Sequence, residues 1–123
     1  MKAIVIEGAQ GASEYQFWDK LVIEKFNSSQ ESKWGVYPAG GCGNIFHVLD
    51  SLASLAKKDY MCDHIETDIL ICYDTTVNSR LREDFLADYN EWITNQFQAE
   101  LNGLERVIRF HLVSYYCFED CLL

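Results

Sequence analysis

Four acidic residues and a cluster of glycines offer the most chemistry in this chain. Glu7 follows the apolar run Lys2-Ala3-Ile4-Val5-Ile6, and Asp74 closes the run Asp68-Ile69-Leu70-Ile71-Cys72-Tyr73. Glu119 and Asp120 come shortly after a third such run, Val107-Ile108-Arg109-Phe110-His111-Leu112-Val113. Carboxylates brought together repel one another, and they stay ionised at neutral pH only if a cation or strong donors compensate them. Mg²⁺, or Mn²⁺ in its place, meets that need, because a hard cation takes one or two carboxylates and fills its shell with water and phosphate oxygens. Gly40, Gly41 and Gly43 precede an amphipathic stretch, so backbone N–H groups and a helix N-terminus could face a phosphate there. Acids for a metal and amides for phosphate oxygens together describe a phosphoryl-transfer site.

Such a site needs elements that bring distant positions to one edge. Lys2–Ile6 reads as a buried strand. Ser13 and Glu14 read as a helix start, and Phe17, Trp18, Leu21, Val22 and Phe26 follow at helical spacing. Gly35-Val36-Tyr37 reads as a short second strand, with Pro38 ending regular pairing. Ile45, Val48, Leu49, Leu52, Leu55 and Ala56 predict a second helix, and Lys57 through Glu66 a polar connector. Asp68–Asp74 is apolar without alternation, as central parallel strands are, with Leu70 and Ile71 expected in its core. A third helix is expected from Asn78 to near Asn102-Gly103, and Val107–Val113 is a fourth strand near an edge. Alternating strands and helices predict an α/β fold, a small Rossmann-like four-stranded parallel sheet with helices on its faces. Right-handed crossovers then put every strand C-terminus on one edge, and with it the acids.

Composition bounds the rest. A chain of 123 residues is the size of one domain, so 1–123 is read as a single unit. Hydrophobic residues make up 49% of it, enough to build a core and to exclude disorder as the main state. No apolar run approaches the length of a membrane span or a secretory signal, so no membrane partner is expected and the location reads as cytoplasmic. A net charge of −9 argues against binding nucleic acid through bulk electrostatics, but not against a small phosphate site carrying its own metal. Five cysteines, an odd number, read as reduced thiols. Trp34, Tyr115, Tyr116 and Phe118 fall outside the helix faces and are candidates for a surface where copies of the chain pair as a homo-oligomer; a partner protein is a further candidate that no particular residues mark.

A strand ending in Ile6-Glu7-Gly8, a second leading into Ala39-Gly40-Gly41 and a third ending in Asp74 resemble the TOPRIM domain. That domain occurs in type IA topoisomerases, bacterial primases, OLD-family nucleases and related phage-defence effectors. The resemblance spans nearly the whole chain, and Val113 to Asp120 is similar to the stretch after the fourth strand in the OLD-like, defence-associated branch. It implies a Mg²⁺-dependent nuclease or phosphotransferase acting on nucleic acid. Glu7 would be its general acid/base or metal ligand, and Asp74 the first acid of an Asp-x-Asp pair that holds the metal. The second acid of that pair falls at Thr76, so Glu119 or Asp120 would supply the missing charge. The alternative is a TOPRIM-like binding or regulatory module whose metal site has lost its activity. Matching the family's aromatic pair to Phe17-Trp18 puts its further acid at Glu14.

Other constellations are weaker. Cys62-Asp63-His64 with Cys42, or with Cys117 and Cys121, has the residue types for Zn²⁺ but no Cys-x-x-Cys spacing. Cys42 before a helix start could be an activated thiol, yet no acyl-transfer motif accompanies it. His47 and His111 read as packing or surface residues.

Overall fold

The computed structural model describes residues 1–7, 16, 19–20, 34–40, 44–74 and 79–115. They form β1 (Lys2–Ile6), β2 (Trp34–Pro38), α1 (Ile45–Asp63), β3 (Thr67–Asp74), α2 (Ser79–Gln98) and β4 (Ile108–Tyr115). The four strands make one sheet in the order β2-β1-β3-β4, and every pair is parallel. This is the Rossmann-like α/β arrangement expected from the alternation of strands and helices. Of the helix expected after Ser13, Gln16, Asp19 and Lys20 are described, and each is helical.

Both faces of the sheet are buried, which is why its strands read as apolar runs rather than alternating ones. Ala3, Val5, Ile69, Ile71 and Tyr73 point to one face and pack with Ile45, Leu49, Leu52, Phe85 and Tyr89 of the two helices. Ile4, Ile6 and Cys72 form the buried centre of the other face, beside the partly buried Val36, Leu70 and Val113. A further cluster joins Ala53 and Ala56 of α1 to Leu101, Leu104 and Ile108. Ile71 is fully buried, as expected, but Leu70 is only half-buried, because it sits on the second face between strands whose side chains leave it partly open.

Several boundaries differ from the sequence reading, β4 among them, which runs over Ile108–Tyr115 rather than Val107–Val113, and three have a clear physical cause. The stretch from Lys57 is not a connector: α1 runs on to Asp63. Its apolar stripe continues from Ala56 to Tyr60, one turn on, and Tyr60 packs against the third cluster. His64 then ends the helix in the left-handed conformation, φ 58°, its N–H donating to Tyr60 O at 2.9 Å and the next amide, Ile65 N–H, to Asp59 O at 3.4 Å. Pro38 does not stop pairing but closes β2 opposite Ile6, and the next amide, Ala39 N–H, donates to Ile6 O at 2.9 Å. An edge strand tolerates the proline. Finally, α2 ends at Gln98, one turn before Asn102-Gly103.

The helices are also joined by polar contacts. Trp92 Nε1 donates to Asp50 Oδ1 at 2.7 Å, and Gln96 Nε2 donates to the same oxygen at 3.3 Å. Trp92 is therefore half-buried against the core, with its indole nitrogen tied to α1. Asp50→Ala removes the acceptor for both donors, and a loss of about 1–2 kcal/mol in urea melts is expected. Unchanged stability would show that water replaces the carboxylate without cost.

Candidate functional site

The chain leaves β1 towards β2 on one side and leaves β3 towards β4 on the other, although β1 and β3 are neighbours. A parallel sheet opens a crevice at such a reversal, beyond the carboxyl ends of the two strands. Glu7 directly follows β1, and Asp74 is the last residue of β3. Val5 is paired with Ile71. That is the last pair between the two strands, so Glu7 lies two residues past it and Asp74 three. The topology places both acids at the carboxyl edge of β1 and β3. Glu7 is half-buried there.

The same edge receives the end of β2. Ile6 is paired with Pro38, so Ala39 and Gly40 lie beside Glu7. Gly40 has φ +79°, a conformation that strains any side chain, and the chain uses it to turn from the strand towards α1. Asn44 precedes α1 without a side-chain cap, and the first turn carries no acid. Gly41, Gly43, Thr76, Glu14, Cys42, Cys117, Glu119, Asp120 and Cys121 lie outside the described residues, and so does the expected contribution of each.

The remaining sequence candidates separate. Cys62 is exposed at the end of α1, whereas Cys72 is buried in β3. Among the described residues no group of three or more His, Cys, Asp or Glu is placed to hold a metal ion. His47 is exposed on α1 and helps line an apolar surface groove of about 410 Å³ with Tyr37, Val48, Ser51, Leu52 and Leu55. Tyr89 belongs to the aromatic core, where burial pushes its phenol up to about 12, so it stays neutral.

Among the described residues the densest polar cluster lies at the opposite edge, and the sequence reading missed it. Lys2, Asp68 and Arg109 are cross-strand partners on β1, β3 and β4. Asp68 accepts from Lys2 Nζ, from Arg109 Nε at 2.8 Å and Nη2 at 3.2 Å, and lies 3.3 Å from His111 Nε2. Arg109 also donates to Glu66 at 2.8 Å, and Lys2 sits 5.6 Å from the Trp34 ring centre. The Arg109 hydrogen bonds, aided by those from Lys2 and His111 and opposed by burial, hold the Asp68 carboxyl well below the usual range. Its charges are matched within the sheet, so it ties strand starts together. Its one trace in the sequence is a charged residue near the start of each of three strands.

Comparison of the chain with protein-family models, with curated proteins and with solved structures gave no match. The site is therefore read from its own residues. No helix among the described residues is long and apolar enough to cross a membrane.

Proposed function

We propose that the chain is a TOPRIM-type domain that cleaves or transfers phosphoryl groups of nucleic acid with Mg²⁺ or Mn²⁺, as part of a nucleic-acid-processing or phage-defence system. One observation carries this reading: Glu7 directly follows β1 and Asp74 ends the neighbouring β3, where the sheet's connections reverse. Two carboxylates at such a place fit a hard cation, which completes its shell with water and substrate oxygens. Glu7 and Asp74 would hold the ion, with Glu119 or Asp120 adding a charge. A bound ion would polarise a phosphoryl oxygen and stabilise the charge that develops on it. Glu7 would also carry a proton to or from the reacting oxygen. Amides of the turn from Gly40 to Gly43 would orient the non-bridging oxygens. Free, exposed Cys62 accords with a reducing, cytoplasmic setting.

A second reading, a module that binds a nucleic acid or a partner protein without catalysis, is favoured by Thr76 in place of the second acid and by the net charge of −9. Assays on single-stranded and duplex DNA and RNA in Mg²⁺ and Mn²⁺ separate the two. The enzyme reading expects wild-type cleavage, a loss of about a hundredfold or more in Asp74→Asn, and equal or higher activity in Thr76→Asp. An inert wild type whose Thr76→Asp variant gains metal affinity without cleavage selects the module.

A further inference from the structure

The turn from α2 to β4 carries an asparagine directly before a glycine, Asn102-Gly103, and both are exposed. On either side the chain is anchored by the buried Leu101 and Leu104. Leu101 N–H donates to Gln96 O at 2.8 Å, Asn102 N–H to Ala99 O at 3.2 Å, and Leu104 N–H to Leu101 O at 3.0 Å. Between them the Gly103 amide makes no hydrogen bond to any described residue. Gly103 has φ +84°, and nothing lies within 4 Å of where a Cβ would stand. Its nitrogen is therefore not tied into the backbone network of the described residues, the residue is exposed, and it directly follows Asn102.

We propose that Asn102 is a site of spontaneous deamidation, with water as the co-reactant. The Gly103 nitrogen attacks Asn102 Cγ. The N–Cγ bond forms, the Cγ–Nδ2 bond breaks, and the Gly103 amide proton leaves with Nδ2 as ammonia. Water then opens the cyclic imide. Addition at Cγ gives aspartate, and addition at the main-chain carbonyl gives isoaspartate, whose backbone runs through Cβ. Asparagine and water become an acid and ammonia, and nothing is oxidised or reduced. The isoaspartyl product lengthens the chain between two buried leucines, so Leu101 and Leu104 cannot both keep their seats in the cluster with Ala53, Ala56 and Ile108. The other asparagines contrast with Asn102. Asn27, Asn44, Asn78, Asn90 and Asn95 precede Ser, Ile, Ser, Glu and Gln, and the amides after Asn90 and Asn95 lie inside α2.

The test ages the purified full chain at mildly alkaline pH and maps its peptides by mass spectrometry, beside a free peptide of residues 99–106. Asn102 is expected to convert to both acids within about tenfold of the peptide's rate, because no opening of the fold has to come first. Asn90 and Asn95 are expected to stay intact, and Asn102→Gln to abolish the signal. An Asn102 still intact when the peptide has fully converted overturns the proposal. Asn102→Asp carries the charge without the extra main-chain atom and should melt like wild type, whereas the aged, isoaspartyl-containing protein melts lower. Equal losses in both would overturn the lengthening argument.

Discussion

Ile71→Ala is expected to destabilise the chain by about 2–5 kcal/mol, the range for truncating a large aliphatic side chain in a packed core. Ile71 is fully buried, and its strand is hydrogen-bonded on both sides, opposite Val5 of β1 and Leu112 of β4. Its side chain faces the helices, among Ile69, Tyr73, Leu49 and Phe85. Two ladders fix the backbone, so the neighbours cannot collapse into the space left behind, and the cavity cost adds to the lost transfer energy. In urea the midpoint should fall while the slope stays constant, since the surface exposed on unfolding is nearly unchanged. Leu70→Ala, on the half-buried side of the same strand, should cost less. A loss within error for Ile71→Ala would mean that β3 is not the central strand.

Asp68→Asn is expected to cost about 1–3 kcal/mol at neutral pH, because it leaves Lys2 and Arg109 facing a neutral amide in place of the carboxylate. Lys2 and Arg109 are partly exposed, which keeps the figure below that of a fully buried pair. The pH dependence has a definite sign. The folded-state pKa of Asp68 is lowered, chiefly by hydrogen bonds from Arg109, so the carboxylate's contribution is present above the unfolded value. As the pH falls below about 4 towards the folded pKa, that contribution is lost. The stability curves of wild type and Asp68→Asn should therefore separate at neutral pH and converge in acid. A gap that stays constant on acidification would show that the network contributes packing rather than charge.

How much of this was legible in the sequence depends on the range over which each signal acts. β1 was readable to the residue, and β3 to within one, because strands buried on both faces carry continuous apolar runs with polar residues at their ends. The end of α1 was missed because Lys57 and Lys58 look like a break in composition, although Tyr60 keeps the apolar stripe going. Glu7 and Asp74 could be assigned to one edge because Glu7 directly follows β1 and Asp74 ends β3, and parallel topology carries strand ends to the same side. The Asp68 network could not be found that way. It joins residues 66 and 41 positions apart and exists only once Lys2, Asp68 and Arg109 are in register, which apolar patterning alone does not specify for strand starts.

That Glu7 and Asp74 share one divalent cation is tested most directly by calorimetric titration of Mn²⁺ into wild type, Glu7→Gln and Asp74→Asn. Wild type should bind one ion, and each variant should bind at least about tenfold more weakly, a difference of about 1.4 kcal/mol. Equal affinity in all three proteins, or no binding to wild type, would contradict a metal site at the carboxyl edge of β1 and β3.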